Sequence, residues 1–292
     1  MRLEDFSRQT DFFVGIDSDG CVFDSMEIKH KECFCPAFIN WFDLQPVSKY
    51  AREVWEYVNL YGKSRGVNRF KAVLQSLELL AERPEVKDRN LQMPQLPELR
   101  AWVERESKLG NPALEAEVER TGNEELKHVL GWSHAVNDAV QAIVRNVPPF
   151  PWVRETLDHL SGTADTIVVS QTPSDALHRE WAEHNIADRV ALIAGQELGT
   201  KSEHLQATAG PNYAENRVLM IGDAPGDRRA AESVGALFYP IIPGREEESW
   251  RRLYEESLER FFSGSYHGSY QEELLRDFEA ALPDRPPWQK GA

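Results

Sequence analysis

Apolar residues run along this chain in two rhythms. Phe12-Phe13-Val14-Gly15-Ile16 is a short continuous apolar run closed by the polar turn Asp17-Ser18-Asp19-Gly20, the pattern of a buried strand. Thr166-Ile167-Val168-Val169 and Arg217-Val218-Leu219-Met220-Ile221 repeat it, and Val190 to Ala194 and Ala236 to Tyr239 are shorter copies. Between the later runs the spacing turns helical, at Pro151 to Leu160, Ser174 to Asn185, Ser202 to Ala209 and Pro225 to Val234. Strands alternating with helices predict an α/β fold: a Rossmann-like parallel sheet covered on both faces.

One gap breaks the alternation. The first strand ends at Ile16 and the next convincing one begins near Asp165, too far for a simple connection. Apolar residues at three- and four-residue spacing fill the gap, at Asp24 to Phe42, Ala51 to Tyr61, Val67 to Arg83, Leu96 to Leu109, Pro112 to Thr121 and Asn123 to Asn146. Asn111 before Pro112 reads as a helix start with Asn as N-cap. Pro148-Pro149-Phe150-Pro151 is a stiff linker that ends the insertion. The division is therefore an α/β core at 1–24 and 148–245 with an inserted all-helical domain at 25–147. A C-terminal helical extension at 246–292 is expected to pack on the core or to serve as a dimer surface. Its two amphipathic helices separate at Ser263-Gly264-Ser265, and the stretch from Asp284 to Ala292 is expected to fray.

Composition narrows the partners. The 292 residues carry 33 basic and 48 acidic side chains, a net charge of −15, which disfavours nucleic acid and anionic membrane. The same charge repels an anionic substrate unless the site supplies local positive charge. The N-terminal stretch Met1 to Asp11 lacks the pattern of a signal peptide, and no apolar run approaches membrane-spanning length. Three cysteines, Cys21, Cys33 and Cys35, are too few for a disulfide framework and suggest a reducing, cytoplasmic setting. Cys33-Phe34-Cys35 has no second pair to complete a metal site, so it reads as helix packing. Monomer and homodimer both remain open.

The chemistry begins at the C-terminal end of the first strand, where open α/β sheets bind ligands. Asp17 and Asp19 emerge there two residues apart. Burying two negative charges needs a neutralising cation, and hard oxygen ligands point to Mg²⁺. The second strand ends in Ser170-Gln171-Thr172, and the third in Gly222-Asp223-Ala224-Pro225-Gly226-Asp227. Lys201 lies between them at the start of a helical stretch.

In this order and strand context the chain resembles the haloacid dehalogenase (HAD) superfamily of Asp-nucleophile phosphohydrolases. Its hydrophobic strand followed by D-x-D-G matches Val14 to Val22, its strand followed by Ser or Thr matches Ile167 to Ser170, its Lys matches Lys201, and its G-D-x-x-x-D matches Leu219 to Asp227. Cys21 departs from the usual Thr or Val, at a position that mainly supplies backbone to the turn. The resemblance implies an aspartyl-phosphate on Asp17, with Asp19 as general acid and then general base. It implies Mg²⁺ held by Asp17, the carbonyl of Asp19, and Asp223, with Asp227 as a further ligand or as the group that orients Lys201. Ser170, Gln171 and Lys201 would grip the phosphate. The helical insertion is similar in placement to a C1-type cap, and its densest basic segment, Lys63 to Arg69, offers Arg65, Asn68 and Arg69 to the substrate's distal end. His30 and Glu27 are left outside the site.

The acidic residue at position 19 argues against dehalogenase and phosphonate-cleaving relatives. The expected activity is hydrolysis of a small phosphorylated metabolite. Alternatives are a phosphomutase of the β-phosphoglucomutase type and a non-catalytic member that binds a phosphorylated ligand. A signalling receiver domain also carries strand-end acids and a lysine, but it has no large insertion after its first strand.

Overall fold

The computed structural model describes residues 3–289. Five strands form one sheet: β1 (Phe12–Ile16), β2 (Ala164–Val169), β3 (Leu192–Ala194), β4 (Val218–Gly222) and β5 (Leu237–Pro240). Their order is β3-β2-β1-β4-β5, and every neighbouring pair is parallel. Ile16 pairs with Val168 on one side and Ile221 on the other, so the three central strands finish level. The chain after β1 therefore emerges between β2 and β4, where the strand order reverses and α/β sheets carry their ligands.

The strands lack polar alternation because both sheet faces are covered. Successive residues point to opposite faces, and each face has its own apolar layer. Val14, Ile16, Val168, Leu219 and Tyr239 pack in one with Trp181 and Trp250. Phe13, Ile167, Val169, Met220 and Phe238 pack in the other with Leu205.

Two compact units divide the chain. The first comprises the chain up to Met26 together with Asn146–Pro283, and the second comprises Glu27–Arg145 with the chain beyond Pro283. In the second unit helices Arg69–Glu82, Pro97–Arg105, Asn111–Thr121 and Glu124–Ile143 join those around Cys35–Trp41 and Ser48–Glu56. Their core is aromatic: Phe34, Phe38, Trp55, Phe70, Trp102 and Trp132 interlock, with Phe70 and Trp102 edge to face at 5.2 Å.

Several boundaries differ from the pattern-based ones. The helix expected to be capped by Asn111 is preceded instead by extended Gly110, and Asn111 is its first residue. The Asn111 side chain is drawn away from capping because it accepts a hydrogen bond from Ser133 at 2.6 Å. Beyond β5, Glu246–Arg252, Leu258–Ser263 and Ser269–Ala281 lie in the first unit. Trp250, Leu253, Leu258 and Phe261 join one face layer, and Phe278 joins the other.

The end of the chain corrects the expectation of a frayed tail belonging to the core extension. Asp284 pairs with Lys63 at 2.7 Å, and Trp288 packs on Tyr57 while the Arg83 guanidinium lies 4.6 Å from its ring centre. A large aromatic side chain repays ordering of the segment by covering apolar surface of the helical unit. Residues 290–292 lie outside the described residues.

Candidate active site

The site is built at the ends of β1 and β4. Asp17 continues the ladder by donating its backbone N–H to the Ile221 carbonyl at 3.0 Å. Its carboxylate is buried and stands 2.8 Å from the Lys201 ammonium. Asp223 is buried at the end of β4. Asp227 sits in the first turn of helix Pro225–Ser233, where its Oδ2 accepts the backbone N–H groups of Asp223 (3.1 Å) and Ala224 (3.0 Å). Both donors precede Pro225, the first helical residue, so the Asp227 side chain folds back over the turn that leads out of β4. The Oδ1 of Asp227 accepts from Lys201 at 2.5 Å. Gly222 permits this approach: a Cβ there would stand 2.4 Å from the Cβ of Asp227.

Lys201 opens helix Lys201–Thr208, which begins with a Thr200–Glu203 capping box. A cation at a helix N-terminus opposes the helix dipole, so the carboxylates rather than helix preference account for a lysine here. Burial alone would lower its pKa, but Asp17 and Asp227 outweigh burial and hold it above the ordinary lysine range. Burial pushes the Asp17 carboxyl well up; Lys201 opposes this, while Asp227 and Asp223 add to it. The Cys21 thiol is raised by burial and then by the same carboxylates, so it stays protonated.

Carboxylate oxygens of Asp17, Asp223 and Asp227 lie within 4.8 Å of one another. Three acidic side chains gathered beside one ammonium form an oxygen-donor set suited to a hard divalent cation. The Asp19 side chain is not in this group. Its Oδ2 accepts from the Thr172 hydroxyl at 2.6 Å and its Oδ1 from the Ser25 hydroxyl.

Ser170 is buried at the end of β2, and its hydroxyl oxygen accepts the Thr172 backbone N–H at 3.2 Å. Gln171, expected as a phosphate contact, has its side chain engaged elsewhere. Its amide donates to the Gly199 carbonyl at 2.9 Å, tying the β2 turn to the loop that leads into Lys201.

The turn after β1 is fixed from within and from outside. Gly20, at φ +73°, supplies the left-handed residue the turn needs. Ser18 O accepts the N–H groups of Val22 and Phe23, and Gly20 N–H reaches Phe23 O. Two buried indoles hold its outer side: Trp181 donates to Ser18 Oγ at 3.0 Å, and Trp250 to the Cys21 carbonyl at 2.7 Å.

All three residues expected to read the substrate are engaged in the helical unit's own structure. Arg65 is buried and donates to the Leu60 carbonyl at 2.9 Å. Asn68 caps helix Arg69–Glu82 by accepting Phe70 N–H, and its amide holds the Leu109 carbonyl at 3.0 Å. A loop closed this tightly on its own backbone spends its polar groups locally. Arg69 differs. Its Nη1 bonds Ser133 and Asn137, its guanidinium lies 5.0 Å from the Phe34 ring centre, and it pairs with no carboxylate among the described residues. Burial lowers its pKa to about 10, which leaves it cationic at neutral pH.

Thr172, Ser25, Trp181 and Trp250 escaped the sequence reading. Thr172 carried a usable signal, a hydroxyl two residues beyond Ser170 at a strand end. Trp250 carried none, being 229 residues from the carbonyl it holds.

No protein-family model and no curated protein matches the sequence. Among solved structures the chain is similar to a predicted phosphoglycolate phosphatase from Haemophilus somnus 129pt, at 12% identity over 82% of this chain and 93% of that one, with a TM-score of 0.48. It is similar to a HAD-superfamily hydrolase of subfamily IA from Geobacter sulfurreducens, at 16% identity over 80% and 89%, with a TM-score of 0.38. It is also similar to L-2-haloacid dehalogenase from Xanthobacter autotrophicus, at 14% identity over 94% and 93%, with a TM-score of 0.39.

Proposed function

We propose that the chain is a phosphomonoester hydrolase of the haloacid dehalogenase superfamily, acting on a small phosphorylated metabolite through an aspartyl-phosphate on Asp17. The observation that carries this reading is the gathering of Asp17, Lys201, Asp223 and Asp227 at one strand-end level, with Asp17 and Lys201 at 2.8 Å. A buried carboxylate beside a fixed ammonium is a nucleophile prepared for an anionic electrophile.

The residues fit Mg²⁺. Asp17, Asp223 and the Asp19 carbonyl would hold it, and Asp227, both of whose oxygens already accept hydrogen bonds, orients Lys201. When bound, the ion neutralises the non-bridging phosphate oxygens. The chain's own residues do the rest. Lys201 and Ser170 bind the phosphoryl group. Asp17 attacks phosphorus while the bond to the leaving oxygen breaks, and Asp19 gives that oxygen a proton. Asp19 then takes a proton from water, the water oxygen attacks phosphorus, and the acyl phosphate releases inorganic phosphate and Asp17.

The helical unit is read as the substrate-selecting domain, with Arg69 its best candidate because this cation has no carboxylate partner among the described residues. The three free, buried cysteines fit a cytoplasmic setting. Among the described residues, no helix is long and apolar enough to cross a membrane. The test is a screen of phosphorylated metabolites with Mg²⁺ and identification of the products. Release of inorganic phosphate supports the hydrolase, an isomerised phosphate ester identifies a mutase, and tight binding without turnover identifies a phospho-ligand-binding protein.

A further inference from the structure

Asp19 is held at both ends of its carboxylate. The Ser25 hydroxyl donates to Oδ1, and the Thr172 hydroxyl donates to Oδ2 at 2.6 Å. Thr172 is itself fixed on two sides. Its N–H is bound by Ser170 Oγ at 3.2 Å, and its carbonyl accepts the Gln196 N–H at 3.1 Å. The donor that sets the Asp19 side chain is thus bolted to the same β2 turn that carries the phosphate-binding serine. A carboxyl group bound by a hydroxyl at each oxygen has little torsional freedom, since rotation about either side-chain bond breaks a hydrogen bond.

We propose that Thr172 is a positioning residue: its hydroxyl sets the direction in which Asp19 faces the leaving oxygen and the attacking water. The proposal rests on the phosphatase reading, and it makes Thr172 a link between phosphate binding and proton transfer. A substrate phosphate seated against Ser170 lies against the turn that aims Asp19, so the two are registered by one short piece of backbone. Misdirecting a proton-transfer group by a fraction of an ångström is costly because the transfer needs hydrogen-bond distance in the reacting complex.

Two substitutions and two readouts test it. Thr172→Val keeps the shape and removes the hydroxyl, whereas Thr172→Ser keeps the hydroxyl and removes the methyl. With a phosphomonoester that the wild-type protein hydrolyses, Thr172→Val should lower kcat by roughly ten- to a hundredfold at nearly unchanged KM. Thr172→Ser should recover to within about threefold of wild type. In crystals of the Val variant the Asp19 carboxylate should have turned away from its wild-type position. A merely structural threonine predicts the opposite order, with Ser at least as damaging as Val. Equal loss in both variants, unimpaired turnover by Val, or an unmoved Asp19 in the Val crystal would each overturn the proposal. If wild type hydrolyses no phosphomonoester, the phosphatase reading fails by itself, and the Asp19 position in the Val crystal still decides whether Thr172 orients it.

Discussion

Lys201 and Asp17 meet at 2.8 Å although 184 residues separate them in sequence, and the same ammonium reaches Asp227. One cation thus joins the ends of β1 and β4 through carboxylates that would otherwise repel. Lys201→Ala should remove the phosphate-binding charge and leave the acidic cluster without its internal counter-ion. The expected result is a loss of kcat on the order of 10²–10³, as for removal of one preorganised electrostatic donor. A stability loss of about 3–5 kcal/mol in urea titration should accompany it, as for a broken buried ion pair.

The C-terminal extension should matter to catalysis through Trp250. Trp250→Phe leaves the Cys21 carbonyl without its indole donor, at a cost of about 1–3 kcal/mol for an unsatisfied buried group. Leu253→Ala, in the same face layer, should destabilise by a similar or larger amount, about 2–5 kcal/mol. At a temperature well below both unfolding transitions, kcat should fall for Trp250→Phe and stay near wild type for Leu253→Ala. Equal kcat in the two variants would reduce the extension to a structural support.

His204 gives a pH signature. It is fully buried on helix Lys201–Thr208, and burial, then the Lys201 charge, lower its pKa to about 4. The unfolded chain binds a proton on this ring below about pH 6.5, while the folded one does so only near 4. Its contribution is therefore fully present above 6.5 and is lost as pH falls toward 4, at up to about 1.4 kcal/mol per unit. Urea titrations between pH 7 and 4.5 should show a shallower decline for His204→Leu than for wild type. Parallel curves would contradict the assignment.

Arg69→Ala should lower kcat/KM for the physiological substrate by roughly ten- to a hundredfold, the value of a charge-assisted contact. It should change hydrolysis of a small aryl phosphate little. Arg65→Ala should instead lower stability, because Arg65 holds the Leu60 carbonyl. Circular-dichroism melts and kinetics on both substrates separate the two arginines.

The strands and the acidic pairs were legible because strand ends combine two local signals, an apolar run and an abrupt carboxylate. β1 and β4 needed only that. Lys201 was legible through its place in a motif order, since nothing in its immediate neighbours announces it. Long-range hydrogen bonds were not legible. Gln171 looked like a phosphate ligand because it neighbours Ser170, yet its amide is used by Gly199. Arg65 and Asn68 looked like a basic recognition loop, yet backbone carbonyls and a helix N-terminus had prior claim on them. Trp288 packs on Tyr57 and Arg83 in a segment whose terminal position suggested fraying.

The decisive point is whether Asp17 carries the phosphoryl group. It is tested most directly by quenching the Mg²⁺-loaded protein in acid during turnover of a phosphomonoester and mapping the covalent phosphate by mass spectrometry. An acyl phosphate should form on Asp17 in a burst, vanish in excess chelator and be absent from Asp17→Asn. Steady hydrolysis by Asp17→Asn, or a covalent phosphate on another residue, would contradict it.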